Sequence, residues 1–199
     1  MKKLLLLFVP GMLVLTSFGP SATVETINYE VLLDGRPIGT YSVSRKDVNG
    51  TSNYRIETNT AAGLIRREEY RSVMLSSFKQ SKMMFSELKT WLNQKLEFDL
   101  SLKWNGEQYV RREGDRLEDL GHELVTYSSA CVYFSEPKDR STLFYEKYGR
   151  ELDVVPLGTQ RYMVTLPDAC KEQYTYHNGK VVQVELIRSF TTITLRLKP

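Results

Sequence analysis

The sequence predicts a mainly β protein: one domain, built as a curved antiparallel meander that forms an open or half barrel with few short helices. Three observations predict it. Apolar and polar residues alternate with a period of two along most of the chain, the pattern of half-buried strands. Asp-Gly and Asn-Gly pairs punctuate those segments, where two-residue hairpin turns need them. A long meander must also cover its edges and its apolar face, which it does by rolling up.

The elements follow in order. Ile27, Tyr29, Val31 and Leu33 share one face, with Thr26, Asn28 and Glu30 opposite, and Asp34-Gly35 turns the chain into Ile38–Arg45. Asn49-Gly50 marks the next turn, and Tyr54, Ile56 and Thr58 begin a further strand. Leu96, Phe98, Leu100, Leu102 and Trp104 alternate with Glu97, Asp99, Ser101 and Lys103. A two-residue turn at Asn105-Gly106 would then place Leu102 opposite Tyr109. Tyr174–His177 and Lys180–Ile187 flank Asn178-Gly179 as another hairpin, and Ile193, Leu195 and Leu197 define a last strand. Two stretches are ambiguous. Residues 81–93 fit a strand or a short amphipathic helix carrying Met84, Leu88, Trp91 and Leu92, and the region around Pro137–Tyr148 contains a charged loop at Lys138, Asp139 and Arg140.

The 199 residues suit a single domain with a core of its own. Lys2 and Lys3 precede an apolar run from Leu4 to Phe18, and small residues follow at Gly19, Ser21 and Ala22. That is the layout of a secretory signal peptide, 1–22, with cleavage after Ala22 and a single β-rich domain over 23–199. Pro10-Gly11 interrupts the run, which is short of the ~20 residues of a membrane span, and no second apolar run approaches that length. The expected location is exported, periplasmic or extracellular, with a soluble mature chain. Loss of Lys2 and Lys3 lowers the formal charge from +3 to +1, so charge points to no class of partner and nucleic acid is not expected. Arg66-Arg67 and Arg111-Arg112 are isolated doublets whose members would face opposite sides of a strand.

Cys131 and Cys170 are the only cysteines. An oxidising compartment permits a disulfide between them, closing a loop of about 40 residues worth ~3–4 kcal/mol in the chain-entropy model. The alternative is two unpaired buried thiols. Neither lies in a C-x-x-C motif.

Several segments, in order along the chain, resemble a known family: Tyr29-Glu30-Val31, Gly35-Arg36-Pro37-Ile38-Gly39, Val132-Tyr133-Phe134-Ser135-Glu136-Pro137, Tyr145-Glu146-Lys147-Tyr148-Gly149, Tyr162–Asp168 and Tyr174–Gly179. The chain resembles the DUF6134 family of exported Gram-negative envelope proteins of unknown function, and more distantly DUF3108. The resemblance implies an exported, strongly curved antiparallel sheet and carries no catalytic residues.

The residues themselves offer little chemistry. His177 adjoins a turn and His122 lies in a charged stretch, so both read as solvated. No G-x-S-x-G positions a nucleophile and no H-E-x-x-H supplies a zinc site. Glu68-Glu69 would face opposite sides of a strand, and Glu97 with Asp99 belongs to a polar face. Asn49-Gly50-Thr51 is a glycosylation sequon that the turn already explains. The expectation is a protein without catalytic residues, cofactor or metal, binding an apolar ligand or lipid on a concave face lined by some of its 12 tyrosines. The alternatives are an interaction or assembly factor for another envelope protein, and a hydrolase whose site the sequence does not reveal.

Overall fold

Fourteen strands pair into one antiparallel sheet in the computed structural model, which describes residues 22–63 and 68–199. The first eight are β1 (Thr23–Leu33), β2 (Arg36–Val48), β3 (Thr51–Ala62), β4 (Glu68–Lys79), β5 (Lys82–Leu92), β6 (Lys95–Trp104), β7 (Tyr109–Glu113) and β8 (Arg116–Asp119). The remaining six are β9 (Thr142–Tyr145), β10 (Arg150–Gly158), β11 (Arg161–Thr165), β12 (Lys171–His177), β13 (Lys180–Ile187) and β14 (Thr192–Leu197). Their order is β8-β7-β6-β5-β4-β3-β2-β1-β14-β13-β12-β11-β10-β9, two meanders joined where β1 pairs with β14. Residues 81–93 contain strand β5, and no helix occurs among the described residues, so the few short helices expected are not found.

Alternation produces the rolled shape. Ile27, Tyr29 and Val31 of β1, Leu100 and Leu102 of β6, and Tyr174 and Tyr176 of β12 all turn inward and are buried. Register shifts at Val31/Leu32, Ser77/Phe78, Thr90/Trp91, Pro156/Gly158 and Thr175/Tyr176 bend and twist the strands, as bulges do. The sheet does not close on itself, because β8 and β9 do not pair. The segment between them enters the interior instead and fills one end, burying Val125, Tyr127, Ala130, Cys131, Val132 and Tyr133. It also satisfies the free edge of β9: Ser129 N donates to Phe144 O (2.9 Å) and Phe144 N to Tyr127 O (3.2 Å). Across the remaining seam the Arg111 guanidinium donates to Lys147 O (3.4 Å).

The turns show where residue type dictates geometry. Asp34-Gly35, Asn49-Gly50 and Asn178-Gly179 all have positive φ at both positions, as type I′ turns require. Gln80-Ser81 and Asn93-Gln94 take the same conformation without glycine. The expected two-residue turn at Asn105-Gly106 is corrected to a four-residue loop. Asn105 Oδ1 accepts from Glu107 N and Gln108 N (both 2.9 Å), so Trp104 rather than Leu102 faces Tyr109. Gly179 has φ +76° and open space where a Cβ would be, so Gly179→Val pays only for backbone conformation. We expect it to cost about 1–2 kcal/mol; a thermal melt unchanged by the substitution would contradict this turn geometry.

Candidate functional site

Antiparallel alternation brings the hairpins at Leu33–Arg36, Leu92–Lys95, Tyr145–Arg150, Thr165–Lys171 and Ile187–Thr192 to one end of the rolled sheet, away from the plugged end. At this end lies an interior cavity of about 540 Å³, within the ~300–1,000 Å³ typical of small-ligand sites. Its walls are mainly apolar, with Val31, Ile38, Ile56, Met74, Leu88, Val184, Leu186, Ile193 and Leu195 contributed by strands on both sides of the β1–β14 pairing. Thr58, Thr60 and Ser72 add hydroxyls along one wall. The exposed lining residues are Tyr70, Lys147 and Arg188, which mark the mouth.

One side of the chamber is polar and built by tyrosines. Glu172 is buried and accepts from Tyr145 Oη and Tyr174 Oη, both at 2.6 Å. Beside it the Tyr41 and Tyr133 hydroxyls lie 2.6 Å apart. That pair has two hydroxyl hydrogens and uses one in its mutual bond, so the other is available to an acceptor in the cavity. The ring of Tyr133 packs edge-on against Tyr29 (6.0 Å) and Tyr174 (6.4 Å), holding the tip of the plug against this side. Burial pushes the Tyr41, Tyr133, Tyr145 and Tyr174 hydroxyls well above the ordinary phenol range, so they remain protonated donors.

A second carboxylate anchors the plug. Glu146, fully buried at the start of the β9–β10 turn, accepts from Ser128 Oγ (2.6 Å) and Ser129 Oγ (2.5 Å), with a longer contact to Ser76 Oγ (3.4 Å). Burial raises the pKa of both Glu146 and Glu172, against the lowering effect of their hydroxyl partners. Below the ordinary value of 4.5 the folded and unfolded chains both hold the proton and burial carries no ionisation cost. As pH rises through the higher folded-state value, the folded chain must ionise a buried acid and stability is lost. Glu172→Gln does not titrate, so native melting temperature minus that of Glu172→Gln should be larger at pH 5 than at pH 8. A difference independent of pH would refute this.

The two cysteines do not meet. Both are free thiols, which corrects the expected Cys131–Cys170 disulfide. Cys131 is buried in the plug, with Ser128 Oγ 3.9 Å from its sulfur and Tyr54 beside it, near the end of β3 reached by the Asn49-Gly50 turn. Cys170 is half-buried in the β11–β12 turn at the opposite end. Of the remaining residues singled out by sequence, Ala22 is exposed directly before β1, while the leader 1–21 and the Arg66-Arg67 doublet lie outside the described residues. His122 is exposed, its Nδ1 3.0 Å from Glu107 O, and His177 is exposed beside its turn; neither lines the cavity. Glu97 and Asp99 pair with Lys95 and Lys89 on the outer surface. Among the described residues no cluster of three or more His, Cys, Asp or Glu could hold a metal, and no helix is long and apolar enough to cross a membrane.

Sequence reasoning missed Glu172 and Glu146. The alternation of β12, with Glu172, Tyr174 and Tyr176 on one face and Lys171, Gln173 and Thr175 on the other, was the signal for the first. An acid in register with two inward tyrosines is a buried acid.

A rolled antiparallel sheet, stoppered at one end by its own chain and hollow at the other, defines a β-barrel-like protein with an internal chamber. The chain belongs to the DUF6134 family, a domain of unknown function whose model matches residues 29–198. The fold is similar to the crystal structure of a β-barrel-like protein of domain of unknown function DUF1849 from Brucella abortus. The TM-score is 0.52 at 13% identity, covering 90% of this chain and 96% of that one. No curated protein matches the sequence.

Proposed function

We propose that the protein binds an apolar small molecule in its interior cavity and performs no chemistry on it, working in the cell envelope after export. The observation that carries this reading is the chamber of about 540 Å³ with predominantly aliphatic walls. Removing an apolar ligand from water there is favourable by about 25 cal/mol per Å² of buried surface. The signal-like leader supports export. An assembly factor would instead present a flat apolar patch over a filled core, and a cavity favours the ligand reading. Titration of the purified protein with the neutral fluorophore N-phenyl-1-naphthylamine tests it. One saturable site is expected, weakened by Leu186→Trp, which places an indole in the chamber. Absence of saturable binding by a folded protein would overturn the proposal.

A further inference from the structure

The chamber carries its exposed charges at its mouth. The charged side chains of its lining are Glu172, Lys147 and Arg188. Glu172 is buried in the β12 wall and covered by two tyrosine hydroxyls, whereas Lys147 and Arg188 are exposed at the mouth. Lys147 projects from the β9–β10 turn and Arg188 from the β13–β14 turn, so two separate hairpins bring cations to one opening. Among the described residues neither cation takes part in an ion pair. Two acids lie near Lys147: Asp168 of the β11–β12 turn, which accepts from Cys170 N (3.2 Å), and Glu172, which is covered by the Tyr145 and Tyr174 hydroxyls. Across the opening stand the hydroxyls of Thr58, Thr60, Tyr70 and Ser72.

An apolar shaft with two exposed cations at its mouth selects both a ligand class and an orientation. We propose that the ligand is a single-chain amphiphile with an anionic head, the head held at the mouth by Lys147 and Arg188 and the chain running inward along the aliphatic wall. This rests on the ligand-binding reading above and adds the head group and its direction. A chamber of about 540 Å³ accommodates one long aliphatic chain and not the two chains of a diacyl lipid. An anionic head buried deeper in the shaft would leave water for a lining that offers it no cation, since Lys147 and Arg188 are the lining's cations and both stand at the mouth. At the mouth it gains charge-assisted hydrogen bonds and keeps part of its hydration. Carboxylate and phosphate heads share this chemistry.

Displacement of N-phenyl-1-naphthylamine from the full-length mature protein tests the proposal. The competitors are dodecanoate, dodecyl phosphate, dodecyl maltoside and dodecyltrimethylammonium, which share a chain length and differ in head charge. At least one anion is expected to compete about tenfold more strongly than the cation, with the margin shrinking at high salt. The stronger of the two anions identifies the head as carboxylate or phosphate. In Lys147→Glu/Arg188→Glu the anion's affinity, read relative to that of the neutral maltoside, should fall about tenfold or more. Equal competition by anion and cation, or a ratio untouched by charge reversal, would overturn the head-group assignment. So would loss of anion binding in Tyr133→Phe but not in the charge-reversed protein, which would place the head beside the tyrosines. Each of these outcomes presupposes probe binding, whereas failure of the folded protein to bind the probe refutes the ligand-binding reading itself.

Discussion

Glu146→Ala is expected to destabilise the protein by about 3 kcal/mol or more, lowering the melting temperature by roughly 6–12 °C. The carboxylate is fully buried and gathers Ser128 Oγ, Ser129 Oγ and, at longer range, Ser76 Oγ and Ala130 N. Removing it leaves buried hydroxyls without their acceptor, at ~1–3 kcal/mol for each unsatisfied group. It also opens a cavity where the side chain stood. The loss falls on one junction, because Ser128 and Ser129 belong to the plug while Glu146 sits in the β9–β10 turn. Protease sensitivity should therefore rise in residues 121–135 before it rises elsewhere. Glu146→Gln retains an oxygen acceptor and should cost less. A urea-unfolding difference below about 1 kcal/mol for the alanine variant would show that the plug is held by apolar packing alone.

Gly39→Ala should be at least as damaging although it adds a single methyl group. A Cβ at Gly39 would lie 2.0 Å from Asn59 O and 2.7 Å from Thr60 Cα. Both are backbone atoms of β3, paired with this stretch of β2, so no side-chain rotation relieves the overlap. The strands must separate locally, which breaks ladder bonds beside Ile38, Tyr41, Thr58 and Thr60 of the cavity wall. We expect a loss of about 3 kcal/mol or more, the upper end for overpacking, together with weaker probe binding. Wild-type stability in Gly39→Ala would mean that the two backbones are not in such close contact.

The fold was legible because its signals are local. Alternation identified β1, β6 and the C-terminal hairpin, and Asp-Gly or Asn-Gly located three type I′ turns, since few other pairs reach positive φ twice without strain. Gln80-Ser81 and Asn93-Gln94 gave no such signal; their geometry is imposed by the strands on either side. The loop at Asn105 misled because an Asn followed by Gly can also start an Asx turn, and here its side chain bonds two later amides. Elements of the site were harder to read. Glu146 meets Ser128 and Ser76 across separations of 18 and 70 residues, and nothing in its immediate sequence distinguishes it from a surface acid. The cysteine pairing failed for the same reason: parity and the expected compartment favour a bridge, but only the tertiary fold sets the two thiols at opposite ends. The abundance of tyrosine did point towards an aromatic interior, though not to its arrangement around a carboxylate.

The junction of β1 with β14 has a consequence for how the chain comes to be folded. Each strand in the order of the sheet lies next to its neighbour in sequence, except at β1–β14 and where the plug separates β8 from β9. Hairpins can therefore form one after another as the polypeptide emerges, each paying only a short loop closure. One side of β1 cannot be paired in this way. Its edge, from Tyr29 to Leu33, waits for residues 193–197, the last strand to be synthesised. Until β14 arrives, that apolar strand edge is an open template for pairing with other chains. Truncation before Thr192 should thus yield aggregation rather than a smaller soluble domain, and a chaperone that shields strand edges would be needed longest at the N-terminal strand.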